Sequence, residues 1–436
     1  MTASDICTKQ STNTLYRLIL FTTTLLVFIS CTKYTDQEIA SQDPNELSIP
    51  SDFNWTTTTN LEAKLDFDFA LTALELELDL LDENGNRIML LTKEIGVNSI
   101  SFNQRVLLQS NNATLHIPQL DEYYDIPYGK SNHQISFPGE LRNDSGNINN
   151  DFFATRKSGK DDDDDGDDGA DDDDDDKERG KKVGNLNFPS SGFAYRAFED
   201  LWPARGDYDF NDLVIKYNYT ATADKKNNLV EVTFRISLPA IGAGHHNGIG
   251  LQLLNLENNQ YEAVTGDIFT SENTDITIDN AHPHIAIISE NVFKTIPSYY
   301  TNVGDGADAT PHSFEVTIYF DKKDKIKIQN LVFDLFLFRT NLRGLEIHLP
   351  GLPPTSAADN NLFGTVDDLS ISNGYYRSVD NSPWGIELTD DQNWKHPLSR
   401  VKIWDAYPEF TSWIGSGGNQ FTDWNKNPVN SLVYPY

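Results

Sequence analysis

LELELDL, residues 74–80, sets Leu74, Leu76, Leu78 and Leu80 against Glu75, Glu77 and Asp79 in strict alternation. A period of two belongs to a β-strand with one dry and one wet face, not to a helix. Working outward, LEAKLDFDF, RIMLLTKEI, SISFNQRVLL and ATLHIPQL repeat the alternation between residues 61 and 120. Asn84-Gly85 lies between two of these runs and is a hairpin turn signal. Residues 53–138 therefore predict a small β-sandwich.

The same rhythm returns further on, in DLVIKYNYTA, LVEVTFRISLP, GIGLQLLNL and HSFEVTIYFD, with loops rich in Gly, Asn and Pro between them. LVFDLFLF, residues 331–338, is nearly continuous and predicts a strand buried on both faces. One helix is expected, in AYPEFTSWI, where Pro408 stands near the start, Phe410, Trp413 and Ile414 share a side, and Gly415 can end it. The chain is thus expected to be all-β: two β-sandwich or jelly-roll-like domains, residues 53–138 and 183–436, with one short helix near the C-terminus. Residues 139–182 between them lose apolar periodicity and pass through KDDDDDGDDGADDDDDDKERGKK. Such a stretch repels itself and predicts a disordered acidic linker, since isolated aspartates on a flexible chain lack the cage of a tight cation site.

At the N-terminus, Lys9 and Arg17 precede the uncharged run LILFTTTLLVFIS, which ends at Cys31. The run is too short to span a bilayer and has the layout of a secretory signal peptide, residues 1–30. Phe28-Ile29-Ser30-Cys31 resembles a lipobox, so Cys31 is the expected lipidation site and the membrane a partner through that lipid. Cys7, the other of the 2 cysteines, lies in the signal, so no disulfide is available to the mature chain. Thr32 after the cysteine, in place of an aspartate, fits passage to the outer membrane, with surface exposure left open. Residues 31–52 read as a polar tether.

The formal net charge is −32. Phosphate recognition needs a basic patch, so nucleic acid is excluded as a partner. So acidic a chain outside the cytoplasm can recruit Ca²⁺.

The most unusual stretch is FAYRAFEDLWPARGDYDFNDLVIKYNYT, residues 193–220. Together with GIGLQL, LEIHLPGLPPT, NNLFG, YYRSVDNSPWGIEL and AYPEFTSWIGSGGNQFTDWN downstream, in that order, it resembles the LruC-type domain family of exported bacterial proteins across residues 183–436. That resemblance implies an envelope-located β domain and no established catalytic activity. Read physically, Asp207, Asp209 and Asn211 would share one face of an extended segment while Tyr208 and Phe210 turn inward. Hard oxygen donors in that density suit calcium, and Asp212 with Glu199 and Asp200 can complete the set. An EF-hand does not fit, because Asp212 stands where that loop needs Gly. The competing account makes these carboxylates turn and capping groups paired with Arg196 or Arg205.

Other constellations carry less. His245-His246 and His282-Pro-His284 lack the spacing of a zinc site. Five of the 7 tryptophans, Trp384, Trp394, Trp404, Trp413 and Trp424, crowd the C-terminal end, and core packing accounts for them better than a sugar-stacking groove. No nucleophile elbow, zincin motif, phosphate loop or dinucleotide fingerprint occurs. The reading that follows is a non-enzymatic envelope lipoprotein with a calcium-stabilised β domain that binds an extracellular glycan or protein. The alternative is a carbohydrate-active hydrolase of the envelope.

Overall fold

Leu76, Leu78 and Leu80 are each at most 2% exposed, while Glu77 beside them faces solvent, so the alternation is realised as a half-buried strand. The computed structural model describes residues 47–68, 76–93, 97–107, 112–136, 184–254, 270–271, 277–279, 281–282, 285–294, 299–320, 325–370, 374–390 and 394–436. Residues 1–46 and 137–183, on which the expected signal peptide, Cys31, most of the expected tether and the expected acidic linker fall, lie outside the described residues. In chain order the first strands are β1 (Thr58–Phe67), β2 (Leu76–Leu81), β3 (Arg87–Lys93), β4 (Ser99–Leu107), β5 (Asn112–Ile117), β6 (Glu122–Pro127) and β7 (Gly129–Ile135). Next come β8 (Gly184–Phe188), β9 (Phe193–Phe198), β10 (Leu213–Ala223), β11 (Leu229–Ala240), β12 (Asn247–Leu254), β13 (Thr270–Ser271) and β14 (Thr277–Ile278). The remainder are β15 (Ile285–Ser289), β16 (His312–Tyr319), β17 (Val332–Arg339), β18 (Leu342–Ile347) and β19 (Gly385–Asp390).

They form three sheets. One runs β4-β1-β7, another β14-β15-β12-β17-β18, and the largest β13-β16-β11-β10-β8-β3-β2-β5-β6. In the largest, β10 is long enough to take two partners along one edge, Leu213–Tyr217 pairing with β9 and Tyr219–Ala223 with β8, while β11 pairs along the other. β19 then pairs with β9. The fold is all-β, as the alternations require, and β17 is buried on both faces up to Phe338.

The division into two sandwiches is where the structure departs from the sequence reading. Met89 and Leu90 of β3 pair with Leu186 and Asn185 of β8, so one sheet runs through both halves. Asn227 reinforces the seam, its Oδ1 accepting from Thr92 N at 2.9 Å and its Nδ2 donating to Thr92 O at 2.8 Å. A single hydrophobic cluster extends from Leu61 to Trp384. Residues 53–138 alone would leave β3 as an open edge and would enclose only a small core; pairing with β8 removes both costs.

The segment that leads into β1 is also fastened. Trp55 Nε1 donates to Asn381 O at 2.6 Å, and Asn381 Nδ2 donates to Pro50 O at 2.8 Å. Phe53 and Trp55 pack edge-on against Trp413, with ring centroids 5.0 and 6.0 Å away. Trp413 belongs to the expected helix, α2 (Glu409–Gly415), which follows Pro408 and buries Phe410, Trp413 and Ile414. A four-residue helix that the sequence reading did not separate, α1 (Ile403–Ala406), precedes it. Trp384, Trp394, Trp413 and Trp424 are buried, as core residues should be, and only Trp404 is half-buried.

The β2–β3 hairpin turns at Gly85, whose φ is +80° with open space around its Cα. Gly85→Ala meets no steric contact and tests the left-handed backbone alone; denaturant unfolding should show a loss of about 1 kcal/mol.

Candidate metal centre

Residues 199–212 connect β9 to β10, and the pairing of Phe198 with Leu213 brings the two ends of the loop side by side. Glu199 N donates to Trp384 O at 2.9 Å, which continues the sheet one residue into the loop. The DYDF segment is not the extended run its alternation suggests. Tyr208 and Phe210 have φ of +61° and +49°, left-handed values that bulky residues seldom hold. Both side chains are nevertheless buried as expected.

The consequence is that Glu199, Asp207 and Asp209 converge, each with a carboxylate oxygen within 4.8 Å of the other two. Glu199 is 0% and Asp209 3% exposed, and Asp207 lies at the surface. Glu199 Oε1 accepts from Phe210 N at 2.7 Å. Its Oε2 is buried and receives no donor among the described residues. Gly206 makes room for that oxygen, since a Cβ there would stand 1.7 Å from Oε2. Asp209 is held from two sides, Oδ1 accepting from Asn211 N at 3.1 Å and Oδ2 from Arg400 N at 2.7 Å.

The other three candidates serve the frame. Asn211 Nδ2 turns away to Pro397 O at 3.1 Å. Asp212 Oδ2 caps Asp200 N at 2.8 Å, and Asp200 Oδ2 accepts from Asn247 Nδ2 at 2.7 Å. The structure therefore brings together three of the six oxygen-bearing residues and spends the rest on holding the loop.

Charge is unbalanced at this point. Arg196 pairs with Asp334 and Glu387, and Arg205 with Asp380 at 2.8 Å and Asp367 at 3.6 Å, so neither guanidinium answers the cluster. No ion pair reaches Glu199, Asp207 or Asp209 among the described residues. Burial, then the charges of Asp207 and Asp209, push the Glu199 carboxyl well above its usual range. Burial and the charge of Asp207 push Asp209 up to about 8. Asp212 is raised well above its usual range by burial and by Asp200 and Glu199. Carboxyls that resist ionisation in a common enclosure are what a divalent cation relieves. The histidines take no part: His245 and His246 are exposed, His282 pairs with Asp279 at 3.0 Å, and His284 lies outside the described residues.

A second buried polar group escaped the sequence reading. His348 is 0% exposed, with Nδ1 2.5 Å from Asp334 Oδ2 and Nε2 3.2 Å from Glu346 Oε2. Its signals were an aspartate inside the apolar run LVFDLFLF and a Glu-x-His pair one strand away.

Comparison with known proteins gives a family match and a structural one. A domain of unknown function (DUF4842) matches residues 227–425, within the segment assigned to the LruC-type resemblance but downstream of the carboxylate loop. The chain is also similar to the crystal structure of a Bacteroides ovatus protein provisionally described as a lipoprotein. Identity there is 16%, coverage 87% of this chain and 94% of the other, and the TM-score 0.44. No curated protein matches.

Proposed function

We propose that this is a non-enzymatic, lipid-anchored envelope protein whose β fold is fastened by a calcium ion and presents a binding surface outside the cytoplasm. The observation that carries the reading is the convergence of Glu199, Asp207 and Asp209 around an enclosed, donor-less Glu199 Oε2. Oxygen-only donors of full charge, two of them enclosed and one at the surface, fit a hard cation that also keeps water ligands. The lipobox ending at Cys31 supplies the location, and no helix among the described residues is long and apolar enough to cross a membrane. An outer-membrane destination follows from Thr32.

Acyl labelling and fractionation test the anchor. The wild type should incorporate labelled fatty acid and sediment with membranes, while Cys31→Ala should be released in soluble form; membrane retention of that variant would refute lipidation. A panel of glycoside substrates tests the second half, with no turnover expected from the purified protein.

A further inference from the structure

We infer that the cation proposed for Glu199, Asp207 and Asp209 is also the contact point for a neutral glycan, which it binds through vicinal hydroxyls at a rim formed by Asp207, Arg400 and Tyr300. This rests on the calcium reading above and extends it from stability to recognition.

The site is closed on one side only. Glu199 and Asp209 are buried, and three of their four oxygens already accept backbone N–H groups, whereas Asp207 stands at the surface. Calcium takes six to eight oxygens, so an ion held by three carboxylates keeps part of its shell for water or a ligand. That part faces the solvent at Asp207.

What borders the opening is suited to a sugar. Arg400 N is tied to Asp209, while its side chain is 76% exposed, pairs with Asp305, and is attracted by the charge of Asp207. Tyr300 is 42% exposed, while Tyr299 before it packs on Phe293 at 4.6 Å and meets His246 Nε2 through its hydroxyl at 3.2 Å. The loop bearing them lies beside the carboxylate loop, because Ile241 pairs with Thr301 while the next residue, Gly242, donates N–H to Asn211 O at 2.8 Å. It is also held firmly. Asn302 Nδ2 donates to Pro239 O at 2.8 Å, Asn302 Oδ1 accepts from Ala309 N at 2.8 Å, and His396 Nε2 lies 2.6 Å from Asn302 O. A surface ordered before binding loses less entropy on binding.

The charge of the chain selects among ligands. A net −32 disfavours the approach of polyanions, which favours a ligand that offers the ion uncharged oxygens. Adjacent hydroxyls on a pyranose replace two water ligands at once, an aromatic ring covers the apolar face of the sugar, and a guanidinium donates to a third oxygen.

The mature full-length protein is applied to immobilised mannan, dextran and xylan in 1 mM calcium or in chelator, with thermal melting recorded in parallel on the same sample. We expect at least one of these neutral polysaccharides to retain the protein in calcium and release it in chelator. A free methyl glycoside of the retained sugar should elute it, whereas the fully O-methylated glycoside should not. Tyr300→Ala and Arg400→Met should lower retention at least tenfold while the calcium-induced rise in melting temperature persists. If calcium raises the melting temperature and none of the three is retained, or retention survives chelator, or only anionic alginate, immobilised alongside as a control, holds the protein, recognition through the ion is wrong and the stabilising ion stands. If calcium has no effect on melting, the metal centre itself is wrong and this inference falls with it.

Discussion

Arg196→Met should destabilise the fold by about 3–5 kcal/mol, the cost of leaving buried carboxylates without their cation. Arg196 is 1% exposed; its Nε donates to Glu387 Oε1 at 2.8 Å and its Nη1 to Asp334 and to Leu335 O. Tyr217 OH adds a second bond to Glu387 Oε1 at 2.7 Å. On the far side of Asp334 stands His348, and beyond it Glu346, which also accepts from Thr355 N at 3.0 Å and pairs with Arg343. Both ring nitrogens of His348 meet carboxylate oxygens, contacts that an imidazolium satisfies with both of its N–H groups. Arg196, His348 and Arg343 then balance Asp334, Glu346 and Glu387 within one connected network. Arg196→Lys keeps the charge but not the planar fork, and should recover only part of the loss.

The same network sets a pH dependence. Burial lowers the affinity of His348 for its proton, but Asp334 and Glu346 outweigh it, and the net shift is upward. A raised histidine contributes fully below its unfolded value of about 6.5 and loses that contribution as pH rises through the folded value. Asp334 and Glu346 are shifted down against the burial that opposes them, chiefly by His348 and, for Asp334, Arg196. Their contribution is present above about pH 4.5 and is lost as pH falls through the folded values. Chemical denaturation in saturating calcium should therefore show the stability difference between wild type and His348→Gln greatest between about pH 4.5 and 6.5, shrinking toward alkaline pH. A difference independent of pH would mean a neutral ring.

Much of this architecture is legible in the sequence, and the parts that are not share a cause. Alternation at Leu76–Leu80, the Asn84-Gly85 turn, the continuous run at 332–338 and the Pro408 helix start are local signals, and each is found in place. The pairing of Met89 with Leu186 is not local: it joins segments separated by the acidic linker, and nothing in either strand names the other. Composition marks residues 139–182 as a break in periodicity, but a break in periodicity is not a break in packing between the segments on either side. In the carboxylate loop the residue types marked a cluster of oxygen donors, and three of them converge. The choice among them depended on left-handed Tyr208 and Phe210, a conformation for which Asn or Gly would be the usual sequence sign. The capping partners Arg196 and Arg205 were plausible by proximity in sequence, and both are committed elsewhere.

Calcium should raise the melting temperature of the mature protein, and the rise should grow with pH. A ligand that binds only the native state at 100 times its dissociation constant adds about 2.7 kcal/mol. At roughly 2–4 °C per kcal/mol for domains of 150–250 residues, that is a shift of roughly 5–10 °C. The pH dependence follows from the carboxyls. Glu199 and Asp212 are raised well above their usual range and Asp209 up to about 8, so between about pH 4 and 8 the metal-free native state holds protons that the unfolded chain has released. Metal-free stability must then fall as pH rises across that window. Calcium needs the same groups ionised, so its affinity climbs over the same interval, and the calcium-induced shift should be small at pH 5 and largest near pH 8. Glu199→Gln is the cleanest variant: Oε1 keeps its bond to Phe210 N, and the amide replaces an oxygen that has no donor to lose. Asp209→Asn is less clean, because both Asp209 oxygens accept backbone N–H groups. Glu199→Gln with Asp207→Asn should abolish the calcium response while leaving the metal-free melting temperature equal or higher, since the native state no longer has to hold protons on carboxyls that the unfolded chain ionises. A wild type indifferent to chelator, together with a double variant that is simply less stable, would assign these carboxyls to holding the loop and nothing more.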